Sequence, residues 1–378
     1  MKTLAFSSLV AAGALALGLT FAGSARADVK IGIAGPITGP SAATGAQMQN
    51  GVRQAADDIN AAGGILGQKI AIEVGDDVSK PEQGVSVANK FVGDGIQFVV
   101  GDYNSSVSIP ASEVYEDNGI LQITPASTNP TFTERGLWNV FRVCGRDDQQ
   151  GAVAAAYILS HYAGKKIAII HDKTTYGKGL ADEMRKAMNA KGMSEVLYEG
   201  INVGEKDYSA IVSRIKSTGA DLVYFGGLYT EGGLLVRQMR EQGITAPLMG
   251  GDGLAAEEFA SVGGPGVEGS LMTFGPDPMQ RPEAATIVKE FEAKQFIPEA
   301  YTLYSYAAVQ ILKQAAEQAK SLDPQKVADA MHSGMTFDTV IGKIAFDKKG
   351  DRTDADYVVY VWKTASDGKL TYQQTTDK

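Results

Sequence analysis

Small hydroxyl residues directly follow two apolar runs in the first half of the chain. The segment GDYNSSVSIP, residues 101–110, comes after the run IQFVV, and the segment AST, residues 126–128, comes after the run ILQITP. Because Pro110 has no amide hydrogen and fits a helix only in its first turn, we expect a helix to begin near residues 106–108. Backbone amides at a helix N-terminus bind anions. The pattern therefore predicts a receptor for a carboxylate, although serine is also a common helix cap.

The second half of the chain places carboxylates and aromatic side chains after its apolar runs. These residues are Asp172 and Tyr176 after KKIAIIH, Leu228, Tyr229 and Glu231 after ADLVYFGG, and Asp252 in MGGDG. One half thus offers hydroxyls and amides, and the other offers carboxylates. If the two halves face each other across a cleft, the first would hold the carboxylate of an amino acid and the second would bind its ammonium group.

The apolar runs that carry these residues alternate with segments of helical periodicity. In the first half they are VKIGIAG, KIAIEVGDD, IQFVVGD and ILQITPAS, and in the second half KKIAIIHD, VLYEG, ADLVYFGG and PLMGGD. Strands that alternate with helices in this way form a parallel sheet covered by helices on both faces. We therefore predict an α/β fold with two doubly wound units. Ligands of such sheets bind outside the carboxyl ends of the strands.

The last third of the chain departs from this alternation. Residues 282–333 have an almost wholly helical pattern, and three β-rich runs follow, GKIAFD, DYVVYVWK and KLTYQQ. Because these runs have no parallel partner of their own, we expect all three to join the sheets already formed. The chain must then pass between the two units more than once.

Composition and absent motifs restrict the class of function. A length of 378 residues fits two domains, and a formal net charge of −9 without a basic stripe argues against a nucleic-acid partner. The sequence contains no zinc-ligand spacing, P-loop or G-x-S-x-G motif, so we expect no metal, no cofactor and no catalytic centre. Cys144, the only cysteine, is predicted to be a small buried hydrophobic residue. A secreted hydrolase remains the rival class.

Residues 1–27 have the composition of a secretory signal peptide. Lys2 precedes an apolar stretch over residues 9–22, and the segment ARA at residues 25–27 matches a cleavage site. An uncleaved membrane anchor is the alternative, but the stretch is shorter than the ~20 apolar residues of a spanning helix. We expect cleavage after residue 27 and a periplasmic protein.

Several longer segments are similar to a known family. KIGIAGPITGPSAATG, AADDINAAGGILGQKIAIEVGDD and DNGILQITPASTNP lie in the first half, and GRDDQQG, HDKTTYGKGL, GEKDYSAIVSRIK and MGGDG lie in the second. Along the whole mature chain they resemble the periplasmic leucine/isoleucine/valine-binding proteins of ABC import systems. The resemblance implies capture of an aliphatic amino acid, branched-chain or smaller, and its delivery to an inner-membrane ABC permease. A sensor that passes its closed form to a receptor or regulator is the alternative.

The same resemblance implies a type I periplasmic binding fold, in which two lobes are joined by three crossover segments that act as a hinge. It suggests lobe 1 at residues 28–146 and 276–354, and lobe 2 at residues 147–275 and 355–378. We expect the protein to be a monomer.

The resemblance also implies roles for individual residues. Ser105 falls on the carboxylate-binding serine of the family. Ala126 and Thr128 fall on positions that bind the amino acid through a backbone carbonyl and through a hydroxyl and an amide. Tyr176 matches a tyrosine that closes the cleft. Asp252 occupies the position of the acid that receives the ammonium group, but it is one methylene shorter than the usual glutamate, and a bridging water could fill the gap.

Tyr103 is the residue on which we expect specificity to depend. Residues two apart in an extended segment share a face, so Tyr103 and Ser105 should both face the cleft. A large ring beside the carboxylate site predicts a preference for smaller aliphatic amino acids, such as alanine, valine or proline, over leucine. Leu228 and Tyr229 are both candidates for the contact from the second lobe. The remaining candidate ligand-binding residues are Ser127 and Tyr301.

Overall fold

The computed structural model describes residues 28–354 and 356–376, so the predicted signal peptide lies outside the described residues. The strands are β1 (Val29–Gly35), β2 (Ile70–Asp76), β3 (Phe98–Val100), β4 (Leu121–Thr124), β5 (Val140–Arg142), β6 (Ile167–His171), β7 (Leu197–Gly200), β8 (Leu222–Gly226), β9 (Leu248–Gly250), β10 (Leu271–Phe274), β11 (Phe337–Thr339), β12 (Gly342–Ile344), β13 (Val358–Thr364) and β14 (Leu370–Gln374).

Helices separate most of these strands. They are α1 (Ala42–Ala61), α2 (Pro81–Asp94), α3 (Ser105–Asp117), α4 (Thr131–Glu134), α5 (Asp147–His161), α6 (Thr175–Asn189), α7 (Ser209–Thr218), α8 (Tyr229–Glu241), α9 (Glu257–Gly263), α10 (Ala285–Ala293), α11 (Ala300–Ala319) and α12 (Pro324–His332). No helix of the described ranges is both long and apolar enough to cross a membrane.

Two sheets with the same internal order organise the fold. The first has the order β2-β1-β3-β4-β5, and the second contains β7-β6-β8-β9-β10, all paired in parallel. In each sheet the order in which strands are added reverses between two neighbouring strands. These are β1 and β3 in the first sheet and β6 and β8 in the second. Such a switch point leaves a crevice at the carboxyl ends of those strands. Strands β6 and β8 are buried at every residue, as expected for parallel strands covered on both faces.

The late strands only partly follow the sequence prediction. Strands β13 and β14 extend the second sheet in antiparallel pairing, as expected. The prediction that GKIAFD also joins a main sheet was wrong. Its residues 342–344 pair with residues 337–339 in a separate two-stranded sheet, because a tight turn places the two short strands side by side.

Helix α3 begins earlier than its proline suggested. The helix starts at Ser105 with Asn104 as the N-cap residue, so Pro110 is the sixth helical residue and not part of the first turn. The Asn104 side chain makes no capping hydrogen bond, but Ser105, Val107 and Ser108 are buried once this first turn forms. Burial therefore outweighs the one amide hydrogen bond that the proline lacks.

Three connecting segments carry the chain between the two sheets. The first connecting segment is residues 143–146 between β5 and α5, the second is residues 275–284 between β10 and α10, and the third is residues 345–357 between β12 and β13. Helix α11 packs against α1, β3 and β4, so the helical segment after the second connection returns to the first sheet.

Candidate ligand-binding site

A small cavity lies between the carboxyl ends of the two sheets. It is lined by Tyr103, Asn104, Ala126, Tyr176, Leu228, Asp252, Gly253 and Tyr301. Six of these eight residues were candidates from the sequence. The loops after β3 and β4 supply one wall, the loops after β6, β8 and β9 supply the opposite wall, and the first turn of α11 closes one end. The cavity thus occupies the switch-point crevices of both sheets.

Asp252 is the acid of the cavity, and two tyrosines hold its carboxylate. The Tyr176 hydroxyl donates to Oδ1 at 2.8 Å, and the Tyr301 hydroxyl donates to Oδ2 at 3.0 Å. The Gly253 amide donates to the Tyr176 hydroxyl at 2.9 Å, and a Cβ on Gly253 would lie 2.5 Å from the Gly227 carbonyl oxygen, so only glycine fits there. Burial raises the pKa of Asp252, while the tyrosine hydrogen bonds lower it.

Asp147, a second acid beside the cavity, was not a candidate from the sequence. It is the first residue of α5 and fully buried, and neither of its carboxylate oxygens has a hydrogen bond of ordinary geometry with the described residues. Burial raises its pKa well above the usual range, and the charge of Asp252 raises it further, whereas the Thr128 hydroxyl lowers it. The signal for Asp147 in the sequence was its place as an acid in the first helical turn after a strand. Because each acid raises the cost of charging its neighbour, a nearby cationic group favours the charged forms.

Aromatic side chains restrict the size of the cavity. The rings of Tyr103 and Tyr301 meet edge to face with centroids 5.7 Å apart, and Phe274 packs against Tyr301 at 5.8 Å. Tyr103 is only 5% exposed, and its hydroxyl is close enough to Thr44 to hydrogen-bond with it. Because both tyrosines are held by neighbours, their rings form a fixed wall.

Four sequence candidates lie behind the cavity wall. Ser105 is buried, and its Oγ accepts a hydrogen bond from the Asn129 amide at 3.2 Å. Because α3 begins at this residue, the residue before it, Asn104, lines the cavity instead. The Ser127 hydroxyl contacts the Ser108 hydroxyl at 2.5 Å. The buried Thr128 hydroxyl lies beside the Asp147 carboxylate.

The fourth of these candidates, Tyr229, joins the two halves of the protein. Its hydroxyl donates to the Pro40 carbonyl oxygen at 3.2 Å, and the Thr230 hydroxyl donates to the same oxygen at 3.3 Å. The Asn129 side-chain amide donates to the Thr175 carbonyl at 2.9 Å. These contacts hold the loops after β1 and β4 against the helices that follow β8 and β6. The cavity is therefore closed by direct hydrogen bonds on two sides.

A buried arginine positions the segment that contains Ser127 and Thr128. The Arg142 guanidinium is fully buried and donates to the Ser127 carbonyl at 2.6 Å and to the Asn129 carbonyl at 3.1 Å. Its Nε lies 2.7 Å from Oδ1 of Asp351 in the third connecting segment. The backbone on both sides of Thr128 is therefore fixed by an ion pair that begins in the connection between the sheets.

Neither a metal site nor a reactive thiol accompanies this cavity. Within residues 28–354 and 356–376, no group of acidic, histidine or cysteine side chains has an arrangement that could hold a metal ion. Cys144 is buried, as predicted, and burial raises the pKa of its thiol to about 12. A thiol of such high pKa is a poor nucleophile.

Two doubly wound α/β units with a buried cavity between their loops are the architecture of type I periplasmic binding proteins. The family model of the periplasmic binding proteins matches residues 28–369, and the chain belongs to this family. Membership implies an extracytoplasmic location. The predicted fold class is thereby confirmed.

Relatives with known names narrow the comparison. The Leu/Ile/Val-binding protein homolog 1 of Brucella suis biovar 1 (strain 1330) is 57% identical over 361 residues, which cover 96% of this chain and 97% of the relative. The crystal structure of the leucine-binding protein LivK of Thermotoga maritima has a TM-score of 0.83 at 28% identity, with 91% of this chain and 97% of that chain covered. The branched-chain amino acid transporter substrate-binding protein LivJ of Streptococcus pneumoniae, in complex with isoleucine, has a TM-score of 0.82 at 26% identity, with 92% and 99% covered. These relatives are named as binding proteins and not as enzymes.

Proposed function

We propose that the protein captures an aliphatic amino acid between its two lobes and delivers it to an ABC permease of the inner membrane. The observation that carries the proposal is the buried carboxylate of Asp252, which two tyrosine hydroxyls orient in a cavity that is closed from both sheets. The names of the relatives support the same class of ligand.

The ammonium group of the ligand would bind at the acidic side of the cavity. Asp252 presents a carboxylate that is oriented by two tyrosine hydroxyls, and Asp147 adds a second buried carboxyl group nearby. A cation placed there removes the cost of holding negative charge away from water. We assign Asp252 as the direct partner of the ammonium group.

The carboxylate group of the ligand would bind at the opposite wall. The free amides at the start of α3, the Ser105 hydroxyl and the Thr128 hydroxyl lie on that side. Binding would require the Ser105 hydroxyl to turn from the Asn129 amide toward the cavity. Ala126 lines the wall between them and offers its backbone carbonyl to the ammonium group.

We propose that Tyr103 and Tyr301 select for short side chains. Their edge-to-face rings, with centroids 5.7 Å apart, line the cavity together and limit the space for a ligand side chain. Calorimetry with alanine, valine, proline and leucine tests this point. The size selection would be refuted if leucine bound more than tenfold tighter than alanine and valine, a difference of about 1.4 kcal/mol in binding free energy.

Closure would occur at the three connecting segments, between lobe 1 at residues 28–146 and 276–354 and lobe 2 at residues 147–275 and 355–378. Cleavage of residues 1–27 would release the protein into the periplasm as a monomer. Hinge closure around a ligand is a common mechanism of binding proteins.

A thermal-shift screen against the common amino acids tests ligand binding directly, because a ligand that binds only the folded state raises the apparent stability. Asp252→Asn should abolish the shift, whereas Asp207→Asn, which changes an exposed acid far from the cavity, should preserve it. Uptake of the same amino acid in a deletion strain then tests transport. Normal uptake together with a lost regulatory response would indicate a sensor instead.

A further inference from the structure

A second cavity lies where the three connecting segments pack together. It is lined by Pro276, Pro278, Arg281, Tyr304, Ile341, Arg352, Asp354 and Asp356. A small adjoining space shares Tyr304, Arg352 and Asp356 with it and reaches Gly145 and Asp252. We call the two spaces together the hinge cavity. It extends from the surface of the connecting segments to the back of the acid that lines the ligand site.

Two arginines in the hinge cavity have unused donors. No acceptor within the described part of the chain takes a hydrogen bond from the Arg281 guanidinium. Among the described residues, the Arg352 guanidinium donates to two backbone carbonyls, that of Val143 at 3.0 Å and that of Asp354 at 3.3 Å. Each guanidinium carries five donors in a planar fork, so most of these donors remain available.

Both arginines lie near the hydroxyl of Tyr304. Burial raises the pKa of Tyr304 to about 12, and the positive charges of Arg352 and Arg281 oppose this increase. The Tyr304 ring is held in place, because it stacks on Phe274 with an interplanar angle of 10°. A Cβ on Gly275 would lie 2.6 Å from the Tyr304 hydroxyl, so this hydroxyl packs closely on the second connecting segment. The donor groups of Arg281, Arg352 and Tyr304 therefore line the same cavity.

The acids at the rim do not neutralise these arginines. Asp354 and Asp356 are exposed, and across the described residues neither forms an ion pair with Arg281 or Arg352. The Asp252 carboxylate in the adjoining space already accepts from Tyr176 and Tyr301, so among the described residues the arginine donors have no carboxylate partner. Guanidinium groups of this kind bind planar or tetrahedral oxyanions through paired hydrogen bonds.

We propose that the hinge cavity binds a small oxyanion, a carboxylate or a phosphate, between Arg281 and Arg352. Such an anion joins the second connecting segment to the third. The third segment already contacts the others, because Tyr357 packs on Gly145 and the Tyr360 hydroxyl, just beyond it, donates to the Gly275 carbonyl at 2.9 Å. An anion in this position stabilises the arrangement of the connecting segments in which the ligand cavity is closed.

Occupancy of the hinge cavity consequently strengthens amino-acid binding. Coupling between two sites is reciprocal, so the amino acid also strengthens anion binding by the same factor. This coupling rests on the proposed function, whereas anion binding itself does not. The two statements therefore need separate measurements.

Inorganic phosphate is the probe for the site. Phosphate is titrated into the mature protein by calorimetry, with chloride at matched ionic strength as the salt control. Arg281→Gln and, independently, Arg352→Gln should weaken phosphate binding at least about tenfold. Arg53→Gln is the matched control, because it removes the same charge from an exposed position on α1. Circular dichroism of each variant verifies that it is folded.

The second measurement is the affinity for the amino acid with and without phosphate. We expect phosphate to raise it about fivefold in the unmodified protein and in Arg53→Gln, and to leave it unchanged in Arg281→Gln and Arg352→Gln. Phosphate binding that is absent, equalled by chloride, or retained in both variants would overturn the site. Phosphate binding without any change in amino-acid affinity would overturn the coupling alone. If no amino acid binds at all, the proposed function fails, and the phosphate titration still decides the anion site.

Discussion

Asp351→Asn removes the ion pair between the third connecting segment and Arg142. We expect this change to destabilise the protein and to weaken ligand binding. Asp351 is 4% exposed, Arg142 is fully buried, and the closest contact between them is 2.7 Å. The same carboxylate accepts from Thr133 at 2.9 Å and lies 2.7 Å from Arg146. Loss of one partner from a buried ion pair costs about 3–5 kcal/mol, because the remaining charge stays buried without compensation.

The asparagine side chain retains one acceptor oxygen, and Arg142 keeps its bonds to the Ser127 and Asn129 carbonyls, so we expect the lower end of this range, about 3 kcal/mol. Urea unfolding followed by tryptophan fluorescence measures the stability. Calorimetry measures amino-acid affinity, which should fall because Arg142 no longer holds the backbone around Thr128 rigidly.

Glu134→Gln provides the control for this experiment. Glu134 pairs with Arg146 and Lys349 at the outer side of the same cluster and is largely exposed, so its removal should have no measurable effect on either quantity. Equal urea midpoints for Asp351→Asn and Glu134→Gln would refute the reasoning. Loss of stability with unchanged affinity would limit Arg142 to a structural role.

Three further predictions concern the cavity and its surroundings. Tyr103→Ala should enlarge the cavity and raise the affinity for leucine relative to alanine at least tenfold, about 1.4 kcal/mol, and an unchanged ratio by calorimetry would contradict the size selection. Ser105→Ala should weaken binding by ~1.5–3 kcal/mol, the value of a hydrogen bond to a charged group, whereas Ser86→Ala should not. Burial raises the pKa of Asp172 from 3.8 to about 6, so the folded state keeps this proton to a higher pH than the unfolded state. Its contribution to stability is therefore largest below pH 4 and is lost as the pH rises through 6, and Asp172→Asn should stabilise the protein at pH 7 by up to about 3 kcal/mol in urea unfolding. A variant whose stability has the same pH dependence as the parent would contradict this assignment.

Local signals in the sequence were sufficient for most elements of the fold. Pro81 is the first residue of α2, where a missing amide hydrogen costs little, and Asn118 with the glycine after it follows the end of α3. The alternation of apolar runs and helical segments predicted both parallel sheets, because strands covered on two faces are apolar throughout. Local signals failed at Pro110, where burial of the first turn of α3 outweighs a missing hydrogen bond, and at β12, whose partner is a neighbouring short strand.

The sequence indicated those residues of the candidate site that follow strands. Tyr103, Ala126, Tyr176, Leu228 and Asp252 all come directly after parallel strands, so their place at the sheet edges follows from strand direction alone. Spacing did not indicate which of several neighbours points into the cavity. Asn104 lines the cavity and Ser105 lies behind it because the helix begins between them, and this depends on packing.

By itself, the sequence determined the two-unit α/β architecture, the absence of metal and nucleophile motifs, and the strand ends that carry polar groups. These features depend on local periodicity and residue type. Only the tertiary structure decided that Tyr301 of α11 hydrogen-bonds to Asp252, that Asp147 is buried beside it, and that Arg281 and Arg352 meet at the hinge cavity. Each of these contacts joins residues that lie on separate elements, and their proximity is set by how the connecting segments pack, for which no local pattern in the sequence carries a signal.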